Sequence, residues 1–261
     1  MPTIAFDPLP RVTPSRKHPV TVNVRDLPAN GHVATHMHDW AQLACTVKGA
    51  IRLRAGTTSW IVPPTRAVWI PPQVEHDVTL IGEVALRTVY IDASVAPRAL
   101  STCDVIDVTG LLRELVETLA TILPKREPVR YDLLARLLLE EVRVAPTLSL
   151  DLPLPTDRRL RTLCETLLAD PGEIASLEEW ASRVGASPRT LARLLQDELG
   201  MTFGQWRQRV RLAHAAALIS LGTPLAEVAA SLGYESASAF SAMFKRALGH
   251  SPSAFFAAEA K

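Results

Sequence analysis

A chain of 261 residues is long for one domain and ample for two. Hydrophobic residues make up 48% and charged residues 21%, a globular balance that excludes a disordered chain. No apolar run approaches the roughly 18 residues that a membrane span needs, and a net charge of +1, nearly balanced on either side of Pro155, speaks neither for nor against nucleic acid.

In chain order, residues 1–19 carry Pro2, Pro8, Pro10, Pro14 and Pro19 and read as an irregular arm. The arm lacks an apolar core, so it is not expected to be a secretory signal. Its position makes it a candidate to close over a pocket. Residues 20–100 are expected to form a β domain. Short apolar or alternating runs follow one another between Gly and Pro: VTVNV, QLACTV, AIRLRA, TSWIV, AVWIP and VALRTVYI. Ile51–Arg52–Leu53–Arg54 alternates with period two, as a half-buried strand does. Six to eight such strands predict a sandwich or barrel. The cysteines Cys45, Cys103 and Cys164 are scattered and odd in number. They fit free thiols in a reducing cytoplasm, and neither a disulfide framework nor a zinc finger.

Residues 101–146 change character. Leu112, Leu115, Val116 and Leu119 fall on one helix face, and the spacing predicts helices over 108–123 and 131–144. The second places Leu134, Leu137, Leu138 and Glu141 along one side. Two readings fit so much leucine, an ordinary core or a subunit interface. We take the segment as a dimerisation element, since the preceding sheet cannot cover all of it. Residues 147–156 read as a proline-rich linker, and residues 157–261 are helical in pattern.

That last third contains a repeat. LEEWASRVGASPRTLARLLQDELGMTFGQW matches LAEVAASLGYESASAFSAMFKRALGHSPSAF, with Gly185 against Gly233. After a one-residue insertion, Ser187 pairs with Ser236, Leu191 with Phe240, Leu195 with Phe244, Gly200 with Gly249 and Trp206 with Phe255. Each copy has a short helix, a Gly turn and a second helix opened by a Ser cap. The two helix-turn-helix units are expected at 177–198 and 225–247, with a continuous helix over 203–221 between them. That rod, about 28 Å long, suits two recognition helices one DNA turn, roughly 34 Å, apart.

With Leu191, Leu194 and Leu195 turned inward, the first recognition helix leaves Arg189, Thr190, Ala192, Arg193 and Gln196 outward. With Phe240, Met243 and Phe244 inward, the second leaves Ala237, Ser238, Ser241, Ala242 and Lys245. Arginine pairs bidentately with guanine in the major groove. The small polar set of the second helix suits close approach and phosphate contact. Arg183, Arg189, Arg193, Arg207, Arg209 and Arg211 give the region a local positive excess, which a solvated helix surface would also explain.

The segments SPRTLARLL with Gly200 and Phe203, RQRVRLAHA, and VAASLGYESASAFSAMFKRALGHSP resemble the AraC/XylS family of bacterial transcription regulators. The resemblance covers about 100 residues; Phe256 departs from it, standing where the family often has a basic or polar residue. It implies a two-domain protein, with an N-terminal all-β cupin-like barrel plus helices and a C-terminal all-α domain with two helix-turn-helix subdomains. It further implies double-stranded DNA, RNA polymerase, a small-molecule or metal effector and a homodimeric partner, with no membrane and no enzymatic activity.

The first half resembles the cupin-type sensor domain of many such regulators. Gly31, His36, His38, Gln42 and Gly49 follow a metal cupin's first motif, with Gln where Glu is usual. Pro71, Gln73 and His76 follow the second, its Gly lost. The resemblance thus implies His36, His38, His76 and the weaker ligand Gln42 as a site for a divalent transition metal such as zinc, nickel, copper or iron. Equally open is a pocket without metal, in which the same side chains line an organic-effector site or are satisfied polar groups. Trp40, Trp60, Trp69 and Tyr90 would give such a cavity aromatic walls. Arg52 and Arg54 share a strand face that suits an anion or plain solvent. The alternative function is a metal-dependent cupin enzyme fused to a helical domain, for which the C-terminal repeat has no use.

Overall fold

The computed structural model describes residues 4–6, 12–29, 31–122, 124–148, 151–248 and 251–252. The chain forms two compact units: residues 1–56 with 60–150, and residues 57–59 with 151–261.

The N-terminal unit is β-rich. Its strands are β1 (Ile4–Phe6), β2 (Val20–Leu27), β3 (Gly31–His36), β4 (Ala41–Ala55), β5 (Thr58–Val62), β6 (Arg66–Ile70), β7 (His76–Ile91) and β8 (Asp104–Asp107). The long strands β4 and β7 pair antiparallel from Ala41 opposite Ile91 to Ala55 opposite His76. On the free edge of β7, β3 takes the first half and β2 the second. Register shifts between Thr46 and Ala50 bend β4 where it passes β7. Gly49, at φ +76°, makes that passage feasible. A Cβ there would stand 2.2 Å from the Glu83 carbonyl oxygen.

Alternation sorts the strand residues onto two faces. Inside the barrel lie Val33, Ala44, Ile51, Leu53, Val68, Ile70, Val78 and Leu80. The opposite face, with Leu43, Cys45, Trp69, Val89 and Ile91, packs against two helices. These are α1 (Gly110–Thr121), capped by Thr109, and α2 (Pro128–Val144). Leu112, Leu115, Val116 and Leu119 are buried as their spacing predicts. On α2 the buried face is Tyr131, Ala135, Leu138 and Val142, not the expected Leu134–Leu137–Leu138–Glu141 line. Tyr131 sets that rotation: its hydroxyl donates to the Val20 carbonyl on β2 at 2.9 Å.

Three further expectations are corrected. Part of the proline-rich arm is ordered, because β1 pairs parallel with β3, with Ile4 opposite Gly31. The segment 101–146 contains the strand β8 as well as helices, antiparallel to β6. The supposed linker 147–156 also forms strand: β9 (Thr147–Leu148) pairs with β8, and β10 (Asp151–Pro153) runs beside Thr57–Ser59, where Leu154 donates to the Thr57 carbonyl at 2.6 Å. Its prolines lie at strand ends and edges, where a missing N–H costs no ladder bond.

The C-terminal unit is helical: α3 (Arg158–Ala169), α4 (Leu177–Arg183), α5 (Pro188–Leu199), α6 (Phe203–Ser220), α7 (Leu225–Ser231) and α8 (Ala237–Leu248). Ser176 and Thr202 form capping boxes with Glu179 and Gln205. Ser187 and Ser236 cap the second helix of each repeat, accepting from the N–H groups of Thr190 and Ala239. Gly185 and Gly233 hold the matching turns at φ +68° and +72°. The second repeat packs Val228, Ala229 and Leu232 against Phe240, Met243 and Phe244. The expected pairing of Gly200 with Gly249 and of Trp206 with Phe255, and the departure at Phe256, lie outside the described residues at their second partners.

Candidate functional sites

Most residues of the first repeat's second helix lie on the side that their spacing predicts. Leu191 and Leu195 are fully buried, while Arg189, Ala192, Arg193 and Gln196 are exposed. Leu194 is half-buried. Thr190 is half-buried too, because its hydroxyl meets that of Ser187 at 2.8 Å in the helix cap. On α8, Ser238, Ala242 and Lys245 are exposed, and Ala237 and Ser241 are half-buried. Each repeat therefore offers one polar helix face on an apolar base.

The arginines divide. Arg211 is only 8% exposed, lies over the Tyr234 ring and donates to the carbonyls of Pro171 and Glu173, so it is a packing residue and not part of a positive face. Arg183 pairs with Glu173 at 2.8 Å and lies over Trp180. Arg189 and Arg193 remain outward on α5. Between α6 and α8, an open groove of about 790 Å³ is lined by Arg207 and Arg209 of α6 and Arg246 of α8. Arg246 follows the candidate Lys245 directly, but helix spacing alone does not assign it to the outward set.

In the barrel, His36 ends β3 and His76 begins β7, directly opposite in register. His38 lies beyond the end of β3, so a shared strand face does not bring the pair together. The loop does, with His38 5% exposed. One ring nitrogen from each of the three lies within 4.8 Å of the others. Each Nδ1 meets a backbone carbonyl: His36 that of Ala34 at 2.8 Å, His38 that of Trp40 at 2.7 Å, His76 that of Val74 at 2.9 Å. A carbonyl only accepts, so each Nδ1 donates and each neutral ring keeps its lone pair on Nε2. Burial lowers all three pKa values, that of His76 to about 4. His76 Nε2 is buried and has no hydrogen-bond partner among the described residues.

Gln42 is buried on β4, with its amide oxygen 2.8 Å from His38 Nε2. A neutral ring that already donates through Nδ1 cannot also donate through Nε2. The Gln42 amide therefore turns over and presents its NH₂ to His38. Trp40 stacks on His38 at 5.2 Å, and Tyr90 meets both rings edge-on. The other two aromatic residues are placed differently. Trp60 belongs to the barrel core, and Trp69 points to the helix side, where its indole donates to the Ala99 carbonyl. The strand period of two puts Trp69 on the face opposite Gln42 and Tyr90. Arg52 and Arg54 face their cross-strand partners Thr79 and Asp77, the latter ion pair at 2.7 Å. Glu75, beside His76, is exposed.

A capped helix-turn-helix pair joined by one helix, following a β domain with a polar cluster in its barrel, defines a DNA-binding regulator with a ligand-binding domain. Comparison with known families agrees: the AraC-like ligand binding domain model matches residues 22–142, and a helix-turn-helix domain model matches residues 180–258. The chain is 36% identical over 224 residues to the HTH-type transcriptional regulator NimR of Escherichia coli K12, covering 85% of this chain and 81% of that one. It is 36% identical over 134 residues to the arabinose operon regulatory protein of the same organism, covering 48% and 45%. Among solved structures, unsaturated fatty acid bound ToxT from Vibrio cholerae aligns with 91% of this chain and 94% of its own, at 12% identity and a TM-score of 0.36. The chain belongs to the AraC family of helix-turn-helix transcriptional regulators. It carries the family's N-terminal ligand-binding domain and C-terminal DNA-binding region.

Proposed function

We propose that this regulator reads DNA through Arg189, Thr190, Ala192, Arg193 and Gln196 of α5 and Ala237, Ser238, Ser241, Ala242 and Lys245 of α8. The observation that carries this reading is the matched pair of Ser-capped helices, each with an outward polar face. Arg193 reads a guanine, and the small residues of α8 let that helix approach the backbone closely. Arg207, Arg209 and Arg246 add phosphate contacts beside it.

The N-terminal domain senses a small molecule or a metal ion at His36, His38, Gln42 and His76, under Trp40 and Tyr90. The signal changes DNA affinity only as far as the ligand favours one arrangement of the protein over another. Two copies associate through α2. Val129, Leu133, Leu137 and Val144 form an exposed apolar stripe opposite the helix's buried face, an arrangement that calls for a second cover. The protein acts in the cytoplasm, contacts RNA polymerase at its promoters and performs no catalysis. No helix among the described residues is long and apolar enough to cross a membrane.

Selection of bound genomic fragments with purified full-length protein tests this reading. The expected outcome is a bipartite motif whose two halves lie about one helical turn apart. Enrichment without a shared motif would contradict it.

A further inference from the structure

The histidine cluster allows a sharper statement about what is sensed. Three rings converge, two of them buried and His36 half-buried, and in each the Nδ1–H is tied to a backbone carbonyl. That arrangement fixes the tautomer and orientation of metal-binding histidines, because the anchored Nδ1 leaves Nε2 as the ligand atom. It also carries a cost that only a ligand offsets. A buried lone pair such as His76 Nε2, with no partner among the described residues, is unfavourable unless something is bound to it.

We propose that His36, His38 and His76 bind a divalent transition-metal ion through their Nε2 atoms, that Gln42 yields His38 to it, and that the ion is the signal the β domain senses. Three neutral imidazoles at one side of an ion suit a divalent metal of the later first row and leave positions for water or an anion. No carboxylate belongs to the cluster among the described residues. Gln42 stands where a negative ligand would hold the ion tightly. Its amide must instead give up its hydrogen bond to His38 before the third imidazole can turn to the metal. Both features weaken binding and make it reversible, as sensing requires. Gln42 lies in β4 opposite Ile70 of β6 and Tyr90 of β7, so its movement acts on two neighbouring strands of the barrel.

The regulatory part rests on the β domain being the sensor; the binding part does not. Full-length protein stripped with a chelator and titrated with Co²⁺ should show the visible bands of a low-symmetry cobalt site at one ion per chain. Titration with Zn²⁺ should shift the Nε2 nitrogen resonances of three histidines while their Nδ1–H groups stay protonated. His38→Ala should abolish the cobalt spectrum, and Gln42→Glu should tighten binding by about tenfold or more. The nitrogen spectra of the unmodified protein decide the matter even where a variant fails to fold. Absence of cobalt bands, or unmoved Nε2 resonances, would overturn the site. Equal affinity in Gln42→Glu would overturn the role given to Gln42. Binding of cobalt without any change in operator affinity would overturn the ion as signal. Operator binding by the stripped protein, measured separately, tests the DNA-reading face and stands or falls on its own.

Discussion

Arg193 and Asp197 stand one turn apart on the outward face of α5, with a guanidinium nitrogen 3.1 Å from the carboxylate and both side chains more than half exposed. An exposed pair of this kind contributes little to stability, about 0.2–1 kcal/mol. It does occupy one face of the Arg193 guanidinium until a stronger partner arrives. A guanine edge offers two acceptors in one plane and draws the guanidinium off the carboxylate. Arg193→Ala should therefore weaken specific DNA binding by about 1–3 kcal/mol and relax preference at one base position. Titrating labelled operator and single-base variants with protein checks this; equal loss on every sequence would make Arg193 a phosphate contact.

Asp197→Asn removes the competing carboxylate and one negative charge from the α5 face proposed to meet DNA. Affinity for any DNA should rise a few-fold, within the range of an exposed ion pair. The rise should fade as salt screens the phosphates. Binding curves at two salt concentrations read both effects.

The two turn glycines should differ in their tolerance. A Cβ on Gly185 meets nothing within 4 Å, so Gly185→Ala costs only the left-handed backbone, about 1–2 kcal/mol. A Cβ on Gly233 would stand 2.8 Å from the Gly172 carbonyl and 2.9 Å from the Arg211 guanidinium. Gly233→Ala should be the more damaging of the two, and should loosen the second repeat. Thermal unfolding of both variants ranks them.

On α2 two faces make opposite predictions. Leu138 is fully buried against the sheet, so Leu138→Ala should cost about 2–5 kcal/mol of stability. Leu133 is 63% exposed. Leu133→Glu should leave the fold intact and shift the protein from dimer to monomer. Sedimentation and denaturant unfolding separate the two effects; a Leu133→Glu protein that stays dimeric removes α2 from the interface.

Asp157 caps α3, accepting from the N–H groups of Arg159 and Leu160. The Arg159 side chain, followed by those backbone groups, lowers its pKa to about 2. A depressed carboxylate stabilises the fold above its ordinary value near 3.9 and loses that contribution as pH falls through about 2. Asp157→Ala should cost about 1 kcal/mol near neutral pH. The gap between variant and parent should close in acid.

Much of this was legible in the sequence where a local rule acts alone. The Ser caps, the turn glycines, the inward Leu191 and Leu195 and the outward Arg189, Ala192, Arg193 and Gln196 follow from helix periodicity and cap chemistry. What failed was what only tertiary contacts decide. The rotation of α2 depends on the Tyr131 hydroxyl finding a carbonyl 111 residues away. Arg211 continues the spacing of the half-buried Arg207 and Arg209, yet the Pro171 and Glu173 carbonyls and the Tyr234 ring draw it fully inside. Trp69 reads as a cavity wall until strand register assigns its face. β3 ends at His36, and the loop beyond it, not a strand, turns His38 inward.

The most direct test is methylation interference on a selected operator. Within the stretch bound by one subunit, guanine N7 methylation in the major groove should block binding in two clusters about one helical turn apart, and Arg193→Ala should erase dependence on a guanine in one cluster while sparing the other. A single cluster per subunit, or two within one subunit's stretch that respond alike to Arg193→Ala, would contradict reading by two helix-turn-helix units of one chain.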